Sequence, residues 1–150
     1  MSPEIINWEK CKEGMIRKVE IDNEKIESII SQTKERLKRI KITEKEKLSI
    51  SLIVEDYYEV IKELLVAYLL KNGLRSKNHQ CLISYFYKNN PKYEKEAYTI
   101  SQMSFFRNRL CYYGESIPED FYKNNKDEFN KIIKLILPLI IRGRNKLYNN

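Results

Sequence analysis

The 150-residue sequence is poor in the residues that interrupt helices. It contains four glycines and four prolines, whereas lysine, glutamate, isoleucine, leucine and tyrosine are frequent. Sandwiches and barrels of short strands need many turns, so this scarcity argues against them. The sequence therefore predicts an all-α fold, an antiparallel up-and-down bundle of about five main helices.

Long apolar runs and a secretion signal are also lacking. No apolar segment approaches the roughly 20 residues that a membrane-spanning helix needs. The first residues do not show a basic region followed by an apolar one, so we expect a cytoplasmic protein that does not enter a membrane. The length fits a single domain over residues 1–150, in which residues 1–20 form an N-terminal extension that packs on the bundle.

Cysteine is scarce and has no metal-binding spacing. Cys11, Cys81 and Cys111 are odd in number and lie in unrelated contexts, without a Cys-x-x-Cys pair. We expect three reduced thiols, as is usual in the cytoplasm. The sequence also lacks a glycine-rich phosphate loop and a Ser-His-Asp pattern, so it predicts no metal and no cofactor.

The chain carries an excess of positive charge, with 28 Lys and Arg residues against 21 Asp and Glu residues and a net charge of +7. This charge favours anionic partners such as nucleic acid. Because lysine and glutamate are mixed along most of the chain, the net positive charge is also typical of a protein whose charge serves only to keep it soluble. Both interpretations remain open from the sequence.

Apolar residues at helical spacing and end signals predict helices near residues 24–40, 44–72, 78–87, 94–113 and 126–141, and no strand pair. The second helix is expected to begin at a capping box of Thr43 and Glu46. Pro138 is expected to kink the last helix or to end its regular part, at a cost of ~3 kcal/mol.

The second predicted helix is apolar on more than one side. Leu52, Val66, Leu69 and Leu70 fall outside its main apolar face. Either this helix lies at the centre of the bundle or it presents a second apolar surface to another copy of the chain. The second alternative predicts a homodimer.

The fourth predicted helix places a charge among apolar residues. At 100° per residue, Arg107 falls inside the apolar arc that includes Met103 and Phe106. A guanidinium that faces a core needs a hydrogen-bonded partner. Asp56, at the flank of the long helix, is the expected partner; alternatively, Arg107 extends to solvent or simply ties two helices together.

The sequence around Arg107, SFFRNRLCYYG at residues 104–114, resembles the signature helix of the HEPN (higher eukaryotes and prokaryotes nucleotide-binding) superfamily. In that signature an Arg, usually followed by a polar residue such as Asn, precedes a His, with four to six residues between the Arg and the His. Residues 7–11, 54–59 and 78–82 are similar to an archaeal HEPN-like group, so the resemblance covers most of the chain.

The resemblance implies a helical bundle, commonly a two-fold dimer, with the Arg motif in a cleft near the interface. Many members are metal-independent ribonucleases, often toxins paired with a nucleotidyltransferase antitoxin. Here Tyr112 occupies the position of the His, and a phenol, with a pKa near 10, is a poor base at neutral pH. Catalytic residues are therefore undetermined, with Arg107, Asn108 and Tyr112 as candidates.

The predicted ligand-binding residues are Arg107, Asn108, Tyr112, Asp56 and His79. His79, the only histidine, either enters the cleft across a dimer or is an ordinary residue at a helix start. The first hypothesis is a HEPN-type module that binds RNA, a nucleotide or a partner protein without efficient nuclease activity. The alternatives are a metal-independent ribonuclease, toxin-like and paired with a nucleotidyltransferase, and a structural or regulatory homodimer.

Overall fold

The computed structural model describes residues 4–148, with side chains as far as residue 141. The described residues form six helices: α1 Trp8–Lys12, α2 Asn23–Lys45, α3 Ile50–Lys71, α4 His79–Asn89, α5 Glu94–Tyr113 and α6 Glu119–Tyr148. Two short strands, β1 Arg17–Lys18 and β2 Leu74–Arg75, pair in an antiparallel ribbon. The predicted all-α class is confirmed, but the prediction of no strand pair is wrong, because two residues on either side of α2 and α3 pair in this short ribbon.

Helix α3 lies at the centre and packs against α2, α4, α5 and α6. Leu69 and Leu70, predicted to lie outside the main apolar face, are 0% and 5% exposed within the single chain. Their use as support for a dimer is therefore wrong, and the alternative of a central helix is confirmed. Leu52 is the clear exception, since 55% of its surface is exposed.

The boundary between α2 and α3 differs from the prediction. Thr43 does not cap a helix, because its Oγ1 donates to the carbonyl of Ile40, 2.9 Å away, inside α2. The chain turns at Lys47, which has a φ of 55°. Ser49 then caps α3, where its Oγ accepts a hydrogen bond from the Leu52 N–H.

The last helix is longer than predicted at both ends. Its first residue is Glu119, and Asn125, which directly precedes the predicted start at residue 126, lies inside α6 and donates to the Phe121 carbonyl, 2.9 Å away. The helix also continues past Pro138. Ile136 and Ile140 are fully buried on either side of this proline, and their burial offsets the hydrogen bond that proline cannot make.

Helix α5 matches its prediction at both ends. It covers Glu94–Tyr113 and ends at Gly114, which takes the left-handed conformation with a φ of 66°. Glycine adopts this conformation without strain, and the Gly114 N–H closes the helix on the Leu110 carbonyl. The motif around Arg107 therefore lies in regular helix, two turns from a defined end.

The N-terminal residues are joined to the bundle covalently. Cys11 and Cys81 form a disulfide between α1 and α4, with their Cα atoms 5.7 Å apart. The prediction of three reduced thiols is wrong for these two, because the packing of α1 on α4 brings together residues 70 positions apart. Cys111 is free and exposed.

Candidate functional site

Arg107 lies on the side of α5 that faces α3, but its partner is not Asp56. Its Nη2 is 3.7 Å from Oε1 of Glu59, and its Nη1 donates to Oδ1 of Asn108 at 3.3 Å. Asp56 instead accepts a hydrogen bond from Nη2 of Arg39 on α2 at 2.9 Å. The predicted pair is wrong because α2 and α5 contact different sides of α3.

The guanidinium of Arg107 is held loosely. A charge-assisted hydrogen bond usually measures about 2.7–2.9 Å, so the 3.7 Å approach of Glu59 is an ion pair only. The Nε atom is buried and has no hydrogen-bond partner among the described residues. The side chain is 23% exposed. Arg107 therefore keeps N–H donors that an incoming acceptor could use.

Glu59 forms only a weak ion pair with Arg107 because its carboxylate also binds a lysine. Nζ of Lys62 donates to Oε2 of Glu59 at 2.8 Å and lies 3.6 Å from Glu63. The side chains of Lys62 and Glu59 are only 15% and 18% exposed. The result is a partly buried cluster of two cations and two carboxylates on the face between α3 and α5.

His79, the first residue of α4, lies close to this cluster within the same chain. Burial lowers the pKa of its imidazole, and the positive charges of Lys62 and Arg107 lower it further, against the opposing effect of Glu59 and Glu63. The imidazole is therefore neutral at neutral pH. No second copy of the chain is needed to bring His79 toward Arg107.

Cys111, one turn beyond Arg107, faces the same side of α5. Its Sγ donates to Oε2 of Glu55, 3.2 Å away. This hydrogen bond, together with burial, raises the pKa of the thiol. Because the thiolate is the nucleophilic form, Cys111 is not activated for nucleophilic chemistry near neutral pH.

Polar contacts also join α4 to the motif helix. Nε2 of Gln80 donates to Oγ of Ser104 at 3.1 Å. Tyr58 on α3 lies close to Ser104, and burial raises the pKa of its hydroxyl. These contacts fix α4 against α5 and so hold His79 in place near Arg107.

Tyr112 does not join the Arg107 cluster. It is 73% exposed and lies about 140° further round α5 than Arg107. Its neighbourhood is aromatic: Tyr113 is 71% exposed, and the Arg109 guanidinium lies over the rings of both Tyr113 and Phe105, 5.5 and 5.6 Å from their centroids.

The sequence therefore singled out part of the cluster. Arg107 contacts Asn108 and lies within electrostatic range of His79, whereas Asp56 and Tyr112 lie elsewhere. Glu59, Lys62 and Cys111 were not proposed as site residues. Cys111 follows Arg107 by one helical turn, a spacing that places both on the same side of α5 and could have identified it.

Three further observations bear on function. No helix among the described residues is long and apolar enough to cross a membrane. The same part of the chain contains no group of three or more His, Cys, Asp or Glu side chains that could hold a metal ion. Compared with protein-family models, curated proteins and solved structures, the chain matches none of them.

Proposed function

We propose that this protein is a HEPN-type module that binds RNA or a nucleotide and lacks efficient nuclease activity. The observation that carries the proposal is the loosely paired guanidinium of Arg107, partly exposed and 3.7 Å from its only carboxylate among the described residues. Such a group can exchange a weak internal ion pair for hydrogen bonds to a phosphate. Asn108, which already contacts Arg107, adds an amide donor beside it.

The exposed aromatic residues next to the motif support a nucleic-acid ligand. Tyr112 and Tyr113 each expose more than 70% of their surface at the end of α5. Unpaired bases stack on such rings, typically with about 1–3 kcal/mol per base. A strand bound at Arg107 could therefore place a base against this end of the helix.

Replacing the arginine tests this proposal. Arg107→Gln should weaken binding of a short single-stranded RNA about tenfold, and should lower the slope of log affinity against log salt by about 1. Arg39→Gln is the matched control, since it removes the same charge from an ion pair between α2 and α3 in which the arginine is 56% exposed. Equal effects of the two substitutions, or none, would contradict the proposal.

Ribonuclease activity is the second candidate, and the position of His79 favours it. A neutral imidazole near Arg107 could take the proton of a ribose 2′-hydroxyl. The 2′-oxygen would then attack phosphorus as the bond from phosphorus to the 5′-oxygen breaks, giving a 2′,3′-cyclic phosphate and a 5′-hydroxyl end whose proton comes from the imidazolium or from water. Arg107 would bind the phosphate in this reaction.

The two candidates are separated by incubating labelled RNA with the protein in the presence of a metal chelator. The binding module leaves the RNA intact. The ribonuclease produces cyclic phosphate ends, and His79→Gln abolishes them while leaving RNA affinity nearly unchanged. Cleavage that persists in His79→Gln would contradict the role of the imidazole.

A further inference from the structure

A basic cavity lies beside the Arg107 cluster, between the start of α2, the middle of α3 and the segment that joins β2 to α4. It encloses about 300 Å³. Four of its side chains are cations, His79 is a neutral imidazole, and only Glu63 is acidic; the cations are Lys25, Lys62, Arg75 and Lys77. Its apolar wall is formed mainly by Val66, Leu69, Leu70 and Leu82.

Most of this positive charge is not neutralised internally. Lys62 is paired with Glu59 and Glu63. Lys25, Arg75 and Lys77, by contrast, form no ion pair with any carboxylate in the described part of the chain. Three cations therefore border one small cavity without a counter-charge from the protein.

The ribbon adds a fourth cation. Arg17 lies directly opposite Arg75 in the β1–β2 register, an arrangement in which like charges repel. Arg17, Arg75 and Lys77 also line a neighbouring cavity of about 390 Å³. An anion bound here would relieve repulsion that the fold leaves in place.

We propose that the basic cavity binds a phosphomonoester, either a free nucleotide or the terminal phosphate of an RNA. A monoester carries close to two negative charges at neutral pH, one more than the phosphodiester inside a strand. Its greater charge suits the three unneutralised cations that border the cavity. A volume of about 300 Å³ is at the lower end for small-molecule sites.

This site is distinct from the one under "Proposed function", because Arg107 does not line the cavity. The proposal does not require the chain to bind RNA through Arg107. The two sites can therefore be tested separately with the same set of variants.

The experiment measures binding of AMP, adenosine and two oligoribonucleotides of one sequence, with a 5′-phosphate or a 5′-hydroxyl, by calorimetry. AMP should bind at least about tenfold more tightly than adenosine. Arg75→Ala combined with Lys77→Ala should remove this preference. Lys34→Ala combined with Lys41→Ala, which takes the same charge from exposed positions on α2, should leave AMP affinity within about twofold.

The oligoribonucleotides identify the source of the phosphate. A preference for the 5′-phosphorylated strand indicates an RNA end, and AMP binding without that preference indicates a free nucleotide; both support the site. Equal affinities for AMP and adenosine together with equal affinities for the two strands would overturn it. Equal loss of AMP binding in the two double variants would also overturn it.

Two further variants distinguish a lost binding site from a misfolded protein and from an effect elsewhere on the surface. Lys77→Glu changes one exposed side chain, so it should fold normally and still reduce AMP affinity about tenfold. Arg39→Gln, which changes a residue outside the cavity, should leave AMP affinity within about twofold. RNA binding that Arg107→Gln leaves unchanged would contradict only the proposed function, and AMP binding that Lys77→Glu leaves unchanged would contradict only the phosphomonoester site.

Discussion

Glu44, near the end of α2, joins three elements through one carboxylate. Its Oε2 accepts hydrogen bonds from the hydroxyls of Tyr57 and Tyr122 and lies 3.6 Å from Nζ of Lys126. Burial, aided by the charge of Glu44, raises the pKa of Tyr57 to about 12. Both phenols therefore remain protonated donors at neutral pH.

Removing this carboxylate should destabilise the bundle. We expect Glu44→Ala to lower the free energy of unfolding by about 2 kcal/mol, since hydrogen bonds to a charged group are lost and two phenols lose their acceptor. Glu46→Ala, at an exposed position in the same turn, is the matched control. Urea unfolding of both variants measures the difference, and equal stabilities would contradict a structural role for Glu44.

The pKa of the single histidine can be predicted from its surroundings and measured directly. The pKa of His79 should lie below its ordinary value of 6.5, and Lys62→Met should raise it by removing a neighbouring positive charge. NMR titration of the one imidazole measures both values. A pKa at or above 6.5 in the wild-type protein would contradict the buried, electropositive environment.

The same lowered pKa links stability to pH. Below pH 6.5 the unfolded chain protonates its histidine before the folded one does, so it binds more protons. The contribution of His79 to stability is present above pH 6.5 and is lost as the pH falls through its folded pKa. His79→Gln should remove this part of the pH dependence, whereas a variant at an exposed lysine should retain it.

At the scale of helices, the α2–α3 turn shows what local sequence could not decide. Thr43 and Glu46 match a capping box, yet Thr43 lies inside α2 and Ser49 is the cap. The local sequence fits a helix start at either Thr43 or Ser49. Which of the two begins α3 depends on where α3 packs against its neighbours. The bounds of α5 were predicted correctly because its apolar spacing and Gly114 indicate the same C-terminal end.

The cap gives a direct test of this boundary. Ser49→Ala should cost about 1 kcal/mol of stability, a typical value for a lost N-cap. Thr43→Ala should cost less, because its hydroxyl bonds a carbonyl that already accepts within the helix. Thermal melts of the two variants under the same conditions decide the point; a larger loss for Thr43→Ala would contradict the observed boundary.

The site was predictable to the extent that helical spacing describes it. Spacing placed Arg107 toward the interior, but it does not say which helix packs on each side of α3, so Asp56 was chosen in place of Glu59. The position of His79 depends on the segment between α3 and α4, which has no periodicity. The disulfide depends on the packing of α1 against α4, which the sequence pattern does not predict either.

For the molecule as a whole, the Cys11–Cys81 disulfide should be a large source of stability. It closes a loop of 70 residues, which restricts the unfolded chain and by loop entropy is worth about 4 kcal/mol. Reduction, or Cys11→Ser, should lower the urea midpoint accordingly. Cys111→Ser, at the free thiol, should not, and an unchanged midpoint for Cys11→Ser would contradict the prediction.

The predicted homodimer now depends on a different surface. Leu52 lies near two other exposed apolar residues in sequence, Ile42 and Leu48, which are 62% and 54% exposed around the α2–α3 turn. If the chain dimerises through this end, Leu52→Ser should convert the dimer to a monomer in light scattering at micromolar concentration. A wild-type monomer would contradict the prediction.

The disulfide also makes the chain between Cys11 and Cys81 a covalently closed ring that contains all of α2 and α3. A protease that cuts the exposed turn after Lys47 leaves Cys11 on one fragment and Cys81 on the other. The nicked protein should therefore migrate as one band in denaturing electrophoresis without a reductant and as two bands with it. A backbone break at this turn would not release either half of the molecule.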